Sequence, residues 1–112
     1  MTHDTRKGVN ESLFRDVNER LERRAIAKLP EDQRFEVLCE CDREECTERI
    51  MISFASYEGV RVRPRAFIVV PGHSDPACER VLDDQGAYTV VEKFGEAGEV
   101  AEIQDPREGD ET

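Results

Sequence analysis

Three of the four cysteines in this chain lie within eight residues, as Cys39, Cys41 and Cys46. Thiolates this close together are typical of a metal site, and a closed tetrahedral zinc site needs one more ligand. His73 follows the turn-forming pair Pro71-Gly72 and is the best placed candidate. The pattern predicts a structural zinc site of Cys39, Cys41, Cys46 and His73, and a fold that brings a distant turn to the cysteines.

Cys78 is the alternative fourth ligand. It follows Asp75-Pro76, which is typical of an N-cap and first helical position, so a helix is predicted from there to Gly86. A cysteine in a first helical turn is favoured as thiolate, but Cys78 is better interpreted as a small core residue. If His73 is the ligand, its second ring nitrogen needs an acceptor, for which Asp75 or a backbone carbonyl is expected.

Zinc and iron both suit thiolate and imidazole ligands. Iron–sulfur proteins of the CDGSH type also combine C-x-C, a third cysteine and one histidine, but their histidine follows closely behind the third cysteine. Here His73 comes 27 positions after Cys46. Zinc is therefore the expected metal.

The cysteines are predicted at the tip of a β-hairpin. Phe35–Leu38 is typical of a strand leading into Cys39, and Ile50–Ile52 of a strand returning antiparallel. Alternate residues of a strand share a face, so Cys39 and Cys41 can reach one metal. The loop over residues 42–45 is long enough to bring Cys46 back, and its N–H groups can donate to the sulfurs.

Two arginines flank the cluster. Three thiolates and a neutral imidazole around Zn²⁺ leave a net charge of about minus one by formal counting. Arg43 and Arg49 are close enough in sequence to offset that charge.

The remaining pattern indicates an α+β fold with an N-terminal helix and one small sheet of about four strands. A helix is predicted from Asn10 to Leu29, capped by Asn10 or Ser12 and ended by Pro30. After the hairpin come a short helix capped by Ser53, a strand over Ala66–Val70 that is apolar enough to be buried on both faces, the helix containing Cys78, and a strand over Tyr88–Lys93.

The N-terminal helix carries an apolar stripe and a charged face. The stripe consists of Leu13, Phe14, Val17, Leu21, Ala25 and Ile26. It either packs on the zinc-bearing body or pairs with the same helix of a second chain. The opposite face is expected to be solvated; it consists of Arg15, Glu19, Arg20, Glu22, Arg23 and Arg24.

Length and charge predict one domain with polar ends. We expect a disordered arm over residues 1–9, in which His3 is not a ligand, a single zinc-binding α+β domain over 10–95, and an acidic disordered tail over 96–112. The net charge is -10, and residues 96–112 alone carry seven acidic residues and one basic residue. Such a surface disfavours nucleic acid and membrane partners.

A cytoplasmic location is expected because the N-terminus lacks an apolar signal region and the longest apolar run, Ala66–Val70, cannot span a membrane. In a reducing compartment, clustered cysteines are more often metal ligands or redox groups than disulfides.

The chain resembles a group of small uncharacterised actinobacterial proteins over roughly residues 12–95. The resemblance is carried by Phe14–Arg20, by Cys39-x-Cys41-x4-Cys46 with Thr47-Glu48, by Phe67 leading to Pro71-Gly72-His73, and by Tyr88–Lys93. It implies that the three cysteines and His73 belong to one pattern, which does not include Cys78. It implies no activity.

The residues favour a non-enzymatic module over two other functions. In that reading zinc fastens the hairpin, and the surface binds an unknown protein partner, with the chain a monomer or a homodimer formed through its helix. The second hypothesis is a thiol redox sensor that releases zinc on oxidation. The third is a hydrolase using zinc-bound water with Glu48 or Asp75 as base, for which no catalytic motif is present.

Overall fold

The computed structural model describes residues 3–29, 33–41, 43 and 46–107. Within that part of the chain there are three helices and five strands. In chain order they are α1 His3–Lys28, β1 Arg34–Leu38, β2 Arg49–Ser53, α2 Phe54–Arg61, β3 Ala66–Val69, β4 Glu79–Asp84, β5 Thr89–Lys93 and α3 Gly95–Ile103.

The strands form two antiparallel sheets, which confirms the predicted α+β class. β1 and β2 make a two-stranded hairpin, and the second sheet has the order β3-β5-β4. Glu40 connects the two sheets, because its backbone N–H donates to the Ile68 carbonyl at 2.8 Å. The predicted strands were found, and β4 is the strand that was not expected.

The apolar core lies where the two sheets meet α2. Phe35 and Val37 alternate inward along β1, opposite Ile52 and Ile50 of β2. Every residue of β3 is buried, as its continuous apolar run predicted. Ser53 caps α2 as expected, since its hydroxyl accepts the Ser56 N–H at 3.1 Å.

The predicted helix after Asp75-Pro76 is wrong. Asp75 starts one turn, in which its side chain accepts the Ala77 N–H at 3.0 Å and its carbonyl accepts the N–H groups of Cys78 and Glu79. The chain then enters β4, where pairing with β5 replaces further helical bonds. Gly86, expected to end the helix, lies instead in the β4–β5 turn with a positive φ of 82°.

The α1 helix begins at His3, so the predicted arm is wrong over residues 3–9 and the predicted helix start at Asn10 is wrong; residues 1 and 2 lie outside the described residues. The sequence predicts no helix over residues 1–9 because these residues lack an apolar stripe. Helical backbone bonds do not require such a stripe, and Gly8 alone is only a weak breaker.

The expectation of a solvated charged face on α1 is confirmed for Arg20, Arg23 and Arg24, which are exposed, and is wrong for the other three residues. Arg15, Glu19 and Glu22 are buried, whereas Leu13 and Ile26 are more than half exposed. The helix therefore turns much of its polar side inward, and part of its apolar stripe is left on the surface. The buried charges find partners distant in sequence, such as the Ala101 carbonyl, which accepts Arg15 Nη2 at 2.6 Å.

The acidic C-terminal region is not disordered over residues 95–107. Residues 95–103 form α3, which packs on α1 and buries Ala97, Gly98 and Ala101. Beyond it, Arg107 donates to Glu19 at 2.5 Å and to Glu58 at 2.6 Å. Small buried side chains of α3 and the ion pairs of Arg107 thus hold residues 95–107 on the body, although their acidic composition predicted a disordered tail. The rest of that predicted tail, residues 108–112, lies outside the described residues.

Candidate metal centre

The hairpin positions Cys39 and Cys41. The Cys39 N–H donates to the Glu48 carbonyl at 2.9 Å, which extends the β1–β2 ladder by one pair. Side chains alternate along an extended backbone, so Cys39 and Cys41 lie on one face while Glu40 between them points to the other. The sequence prediction for these two ligands rests on the same alternation.

Two tight turns bring in Cys46 and His73. The Cys46 N–H donates to the Arg43 carbonyl at 3.1 Å, although Asp42, Glu44 and Glu45 of the predicted loop lie outside the described residues. After β3 the His73 N–H donates to the Val70 carbonyl at 2.9 Å, and Gly72 has a positive φ of 91°. Glycine tolerates that backbone geometry, so the Pro71-Gly72 pair turns His73 back toward the hairpin.

The four predicted ligands come together. The three sulfurs and a ring nitrogen of His73 all lie within 4.8 Å of one another. His73 Nδ1 is 3.6 Å from Cys39 Sγ and 3.7 Å from Cys46 Sγ. In a tetrahedral zinc site with ordinary bond lengths, the sulfur-to-nitrogen edge is about 3.6 Å. The group is therefore placed to hold a metal ion, with spacings compatible with zinc.

Burial makes metal-free thiolates unfavourable at this position. Cys39 and Cys41 are almost completely buried, and Cys46 is half-buried. Loss of solvation raises the pKa of the Cys39 and Cys41 thiols, and the Cys46 sulfur raises both further, although a hydrogen bond with Cys39 partly opposes the rise at Cys41. A backbone N–H from Val70, 3.2 Å from Cys39 Sγ, opposes this only in part. A divalent cation supplies the positive charge that three clustered thiolates require.

Glu48 orients the imidazole. With Nδ1 facing the sulfurs, His73 Nε2 lies 3.2 Å from Glu48 Oε2. Such a carboxylate partner fixes the ring and increases its strength as a ligand. Asp75 or a backbone carbonyl was the expected acceptor, but the Glu48 side chain takes that position and the Asp75 carboxylate accepts the Ala77 N–H of its own turn. Glu48 is close to His73 because it pairs with Cys39 at the end of the ladder, which the sequence did not indicate.

Glu40 ties the metal-binding segment to the rest of the fold. Its fully buried carboxylate accepts the Ile68 N–H at 2.9 Å and Asn18 Nδ2 at 2.7 Å. Asn18 also bonds both main-chain groups of Leu38. Strand alternation between two ligands was a signal that Glu40 points away from the metal, but its partners were not predictable from local sequence.

Cys78 lies apart from this group. It is fully buried in the turn before β4, with Lys93 Nζ at 4.0 Å from its sulfur. Among the described residues, the metal-competent cluster contains the other three cysteines and His73. The alternative all-cysteine ligand set is therefore not supported.

The two flanking arginines differ in position. Arg43 Nη2 is 3.5 Å from the Gly72 carbonyl, beside the ligand turn. Arg49 pairs with Glu36 at 2.9 Å on the exposed face of the hairpin. Of the two, Arg43 is therefore the one that contacts the segment carrying His73.

Comparison with known proteins returned no match, whether to a protein-family model, a curated protein or a solved structure. Within the described residues, no helix combines the length and apolar character needed to cross a membrane.

Proposed function

We propose that this chain is a small cytoplasmic zinc-binding protein whose zinc is structural, and that it acts as a protein-interaction or regulatory module. One observation carries the proposal: four buried or half-buried candidate ligands lie within 4.8 Å of one another. Three thiolates and one imidazole form a closed zinc set with no position for a reactive water. On this basis the protein is not an enzyme, and we propose that it belongs to the actinobacterial group it resembles.

Zinc content of the untagged protein, measured by elemental mass spectrometry, tests the proposal. We expect about one zinc per chain in the wild type and in Cys78→Ala, and loss of zinc in His73→Ala. Cys78→Ala is the matched control, because it removes a buried cysteine outside the cluster. Absence of zinc from the wild type, or zinc loss in Cys78→Ala alone, would contradict the proposed ligand set.

Cobalt substitution provides a second measurement. Co²⁺ in a tetrahedral, thiolate-rich site should give intense visible absorption that an octahedral oxygen site lacks. Titration of zinc should abolish that absorption at one equivalent. If the protein as isolated contains iron, iron would take the place of zinc as the proposed metal.

A redox role is the second candidate, and the partial exposure of Cys46 favours it. Cys39 and Cys41 are shielded, but Cys46 is half-buried and is open to a small oxidant. Oxidation of one thiolate to a sulfenic acid or disulfide would remove a ligand and release zinc. Low peroxide doses should then release zinc, and a thiol reductant should restore zinc binding. If zinc stays bound in peroxide, the structural role is the only one that remains proposed.

A further inference from the structure

An open groove runs between α1 and β1 on the side of the hairpin away from the core. We call it the α1–β1 groove; its volume is about 760 Å³. Its walls are formed from α1 by Val17, Leu21, Arg24, Ala25, Lys28 and Leu29, from all five residues of β1, and from β2 by Arg49 and Met51. None of the metal ligands lines it.

The floor of the groove includes part of the apolar stripe of α1. Val17, Leu21 and Ala25 belong to that stripe and are only half-buried. Leu29 is 40% exposed and Met51 48% exposed. Large apolar side chains grouped in one concave surface are typical of a binding site.

Main-chain groups of β1 are available along the same edge. The Cys39–Glu48 bond sets the ladder, so the odd-numbered residues of β1 bond to β2 and the even-numbered residues face outward. At Leu38 those outward groups are bonded by Asn18 of α1. No described residue bonds the outward groups of Glu36, which leaves a donor and an acceptor for an extended chain.

The rim of the groove is cationic although the whole chain carries a net charge of -10. Four exposed basic side chains surround it: Arg24, Lys28, Arg34 and Arg49. Among the described residues that line the groove, Glu36 is the one that is acidic, and it pairs with Arg49 at 2.9 Å. The groove therefore selects an occupant with negative charge.

A second copy of the chain does not fit this requirement. A symmetric dimer formed through this surface would place the four basic side chains of one groove against those of the other. Nucleic acid is also disfavoured, because the lining is aliphatic and its one aromatic residue, Phe35, is only 4% exposed. A peptide can satisfy the apolar floor, the outward main-chain groups and the cationic rim together.

We propose that the α1–β1 groove binds an extended segment of a partner protein that combines apolar and acidic side chains. Apolar side chains would occupy the floor, acidic side chains would pair with the rim, and the main chain would bond to the edge of β1. This inference rests on the proposed role as an interaction module and names its surface and the class of partner.

Selection from a random peptide display library on the zinc-loaded full chain tests the proposal. We expect enriched peptides to combine apolar residues with Asp or Glu, and to bind at least tenfold more weakly to Arg24→Glu/Lys28→Glu, since two attractions at the rim become repulsions. The matched control is Arg20→Glu/Arg23→Glu, which makes the same charge change on α1 outside the groove and should leave binding unchanged.

Several outcomes would overturn the proposal. The first is selection of basic peptides, and the second is selected peptides that bind the Arg24→Glu/Lys28→Glu variant as tightly as the wild type. The third is a single-stranded oligonucleotide that binds more tightly than the selected peptides. The fourth is a dimer, detected by sedimentation, that Met51→Glu dissociates. Zinc content and circular dichroism are measured on the same samples. A folded, zinc-loaded protein that selects no acidic peptide refutes the groove alone, whereas a protein without zinc refutes the proposed function.

Discussion

Glu40 places a fully buried carboxyl between two candidate metal ligands, Cys39 and Cys41. Burial raises the pKa of its carboxyl, while hydrogen bonds from Asn18 and Ile68 and the charge of Arg15 favour the ionised form. A carboxylate without these partners would be strongly unfavourable at this depth. The residue therefore acts as a connector that holds the ligand segment against α1 and β3.

Replacing Glu40 by Ala should lower the free energy of unfolding of the zinc-loaded protein by about 3 kcal/mol, because two buried donors lose their acceptor. Denaturant unfolding with excess zinc measures the change. The control is Glu36→Ala, which removes an exposed carboxylate of β1 and should cost under about 1 kcal/mol. Equal losses in the two variants would contradict the connecting role of Glu40.

At the scale of the elements, α3 is held to the body by close approach of its backbone. A Cβ added at Gly98 would lie 2.7 Å from the Lys93 carbonyl oxygen and 2.7 Å from Arg65 Nη1. The arginine side chain can move, but the backbone of β5 cannot do so without disturbing the sheet. Gly98 therefore allows an acidic helix to dock where any larger residue would displace it.

Gly98→Ala should lower the free energy of unfolding by about 2 kcal/mol, since steric strain exceeds the gain in helix propensity. Gly59→Ala is the matched control, because a Cβ at that position in α2 meets nothing within 4 Å. It should raise stability by about 0.5–1 kcal/mol. Thermal unfolding of both variants checks the pair, and a stabilised Gly98→Ala protein would show that α3 does not dock as described.

The buried face of α1 should make stability depend on pH. Burial, reinforced by the Glu58 carboxylate, raises the pKa of Glu22 to about 8 from an ordinary 4.5, although Arg107 opposes it. The folded state therefore retains a proton that the unfolded chain has lost. The resulting stabilisation is complete below about pH 4.5 and is lost as the pH rises toward 8.

Glu22→Gln should remove this dependence, because glutamine stays neutral. Between pH 6 and 8.5, with zinc present, the stability of the variant relative to wild type should increase by on the order of 1 kcal/mol. Asp16→Asn is the control for replacing a carboxylate of the same helix by its amide at a more exposed position. Denaturant unfolding at several pH values gives the comparison, and a constant difference for Glu22→Gln would exclude the raised pKa.

At the scale of the whole molecule, the proposed zinc joins two segments that are distant in sequence. The hairpin tip and the turn after β3 each supply ligands, and Glu40 pairs with β3 beside them. Chelation should therefore destabilise the entire fold, by about 4 kcal/mol relative to zinc at about a thousandfold excess over its dissociation constant. Unfolding with and without EDTA measures the loss. Cys78→Ala should respond as the wild type does, whereas His73→Ala should be insensitive to EDTA.

The local sequence determined the ligand set and much of the framework that presents it. Cysteines at alternate positions of a strand must share a face, and Pro71-Gly72 must turn the chain before His73. The same local rules predicted β1, β2, the Ser53 cap of α2, and the buried strands β3 and β5. These features depend on neighbours a few residues apart, so sequence patterns record them.

Only the tertiary structure decided the features that depend on distant partners. Residues 79–84 form β4 because β5 pairs with them, despite a good helix start at Asp75-Pro76. Arg15 and Glu19 are buried on α1 because the Ala101 carbonyl and Arg107 satisfy them across more than 80 residues of sequence. Buried charge is tolerable only where such partners meet it, and a charged residue carries no local sign of them. Because α1 turns these charged residues inward, part of its apolar stripe lines the open groove instead of the core.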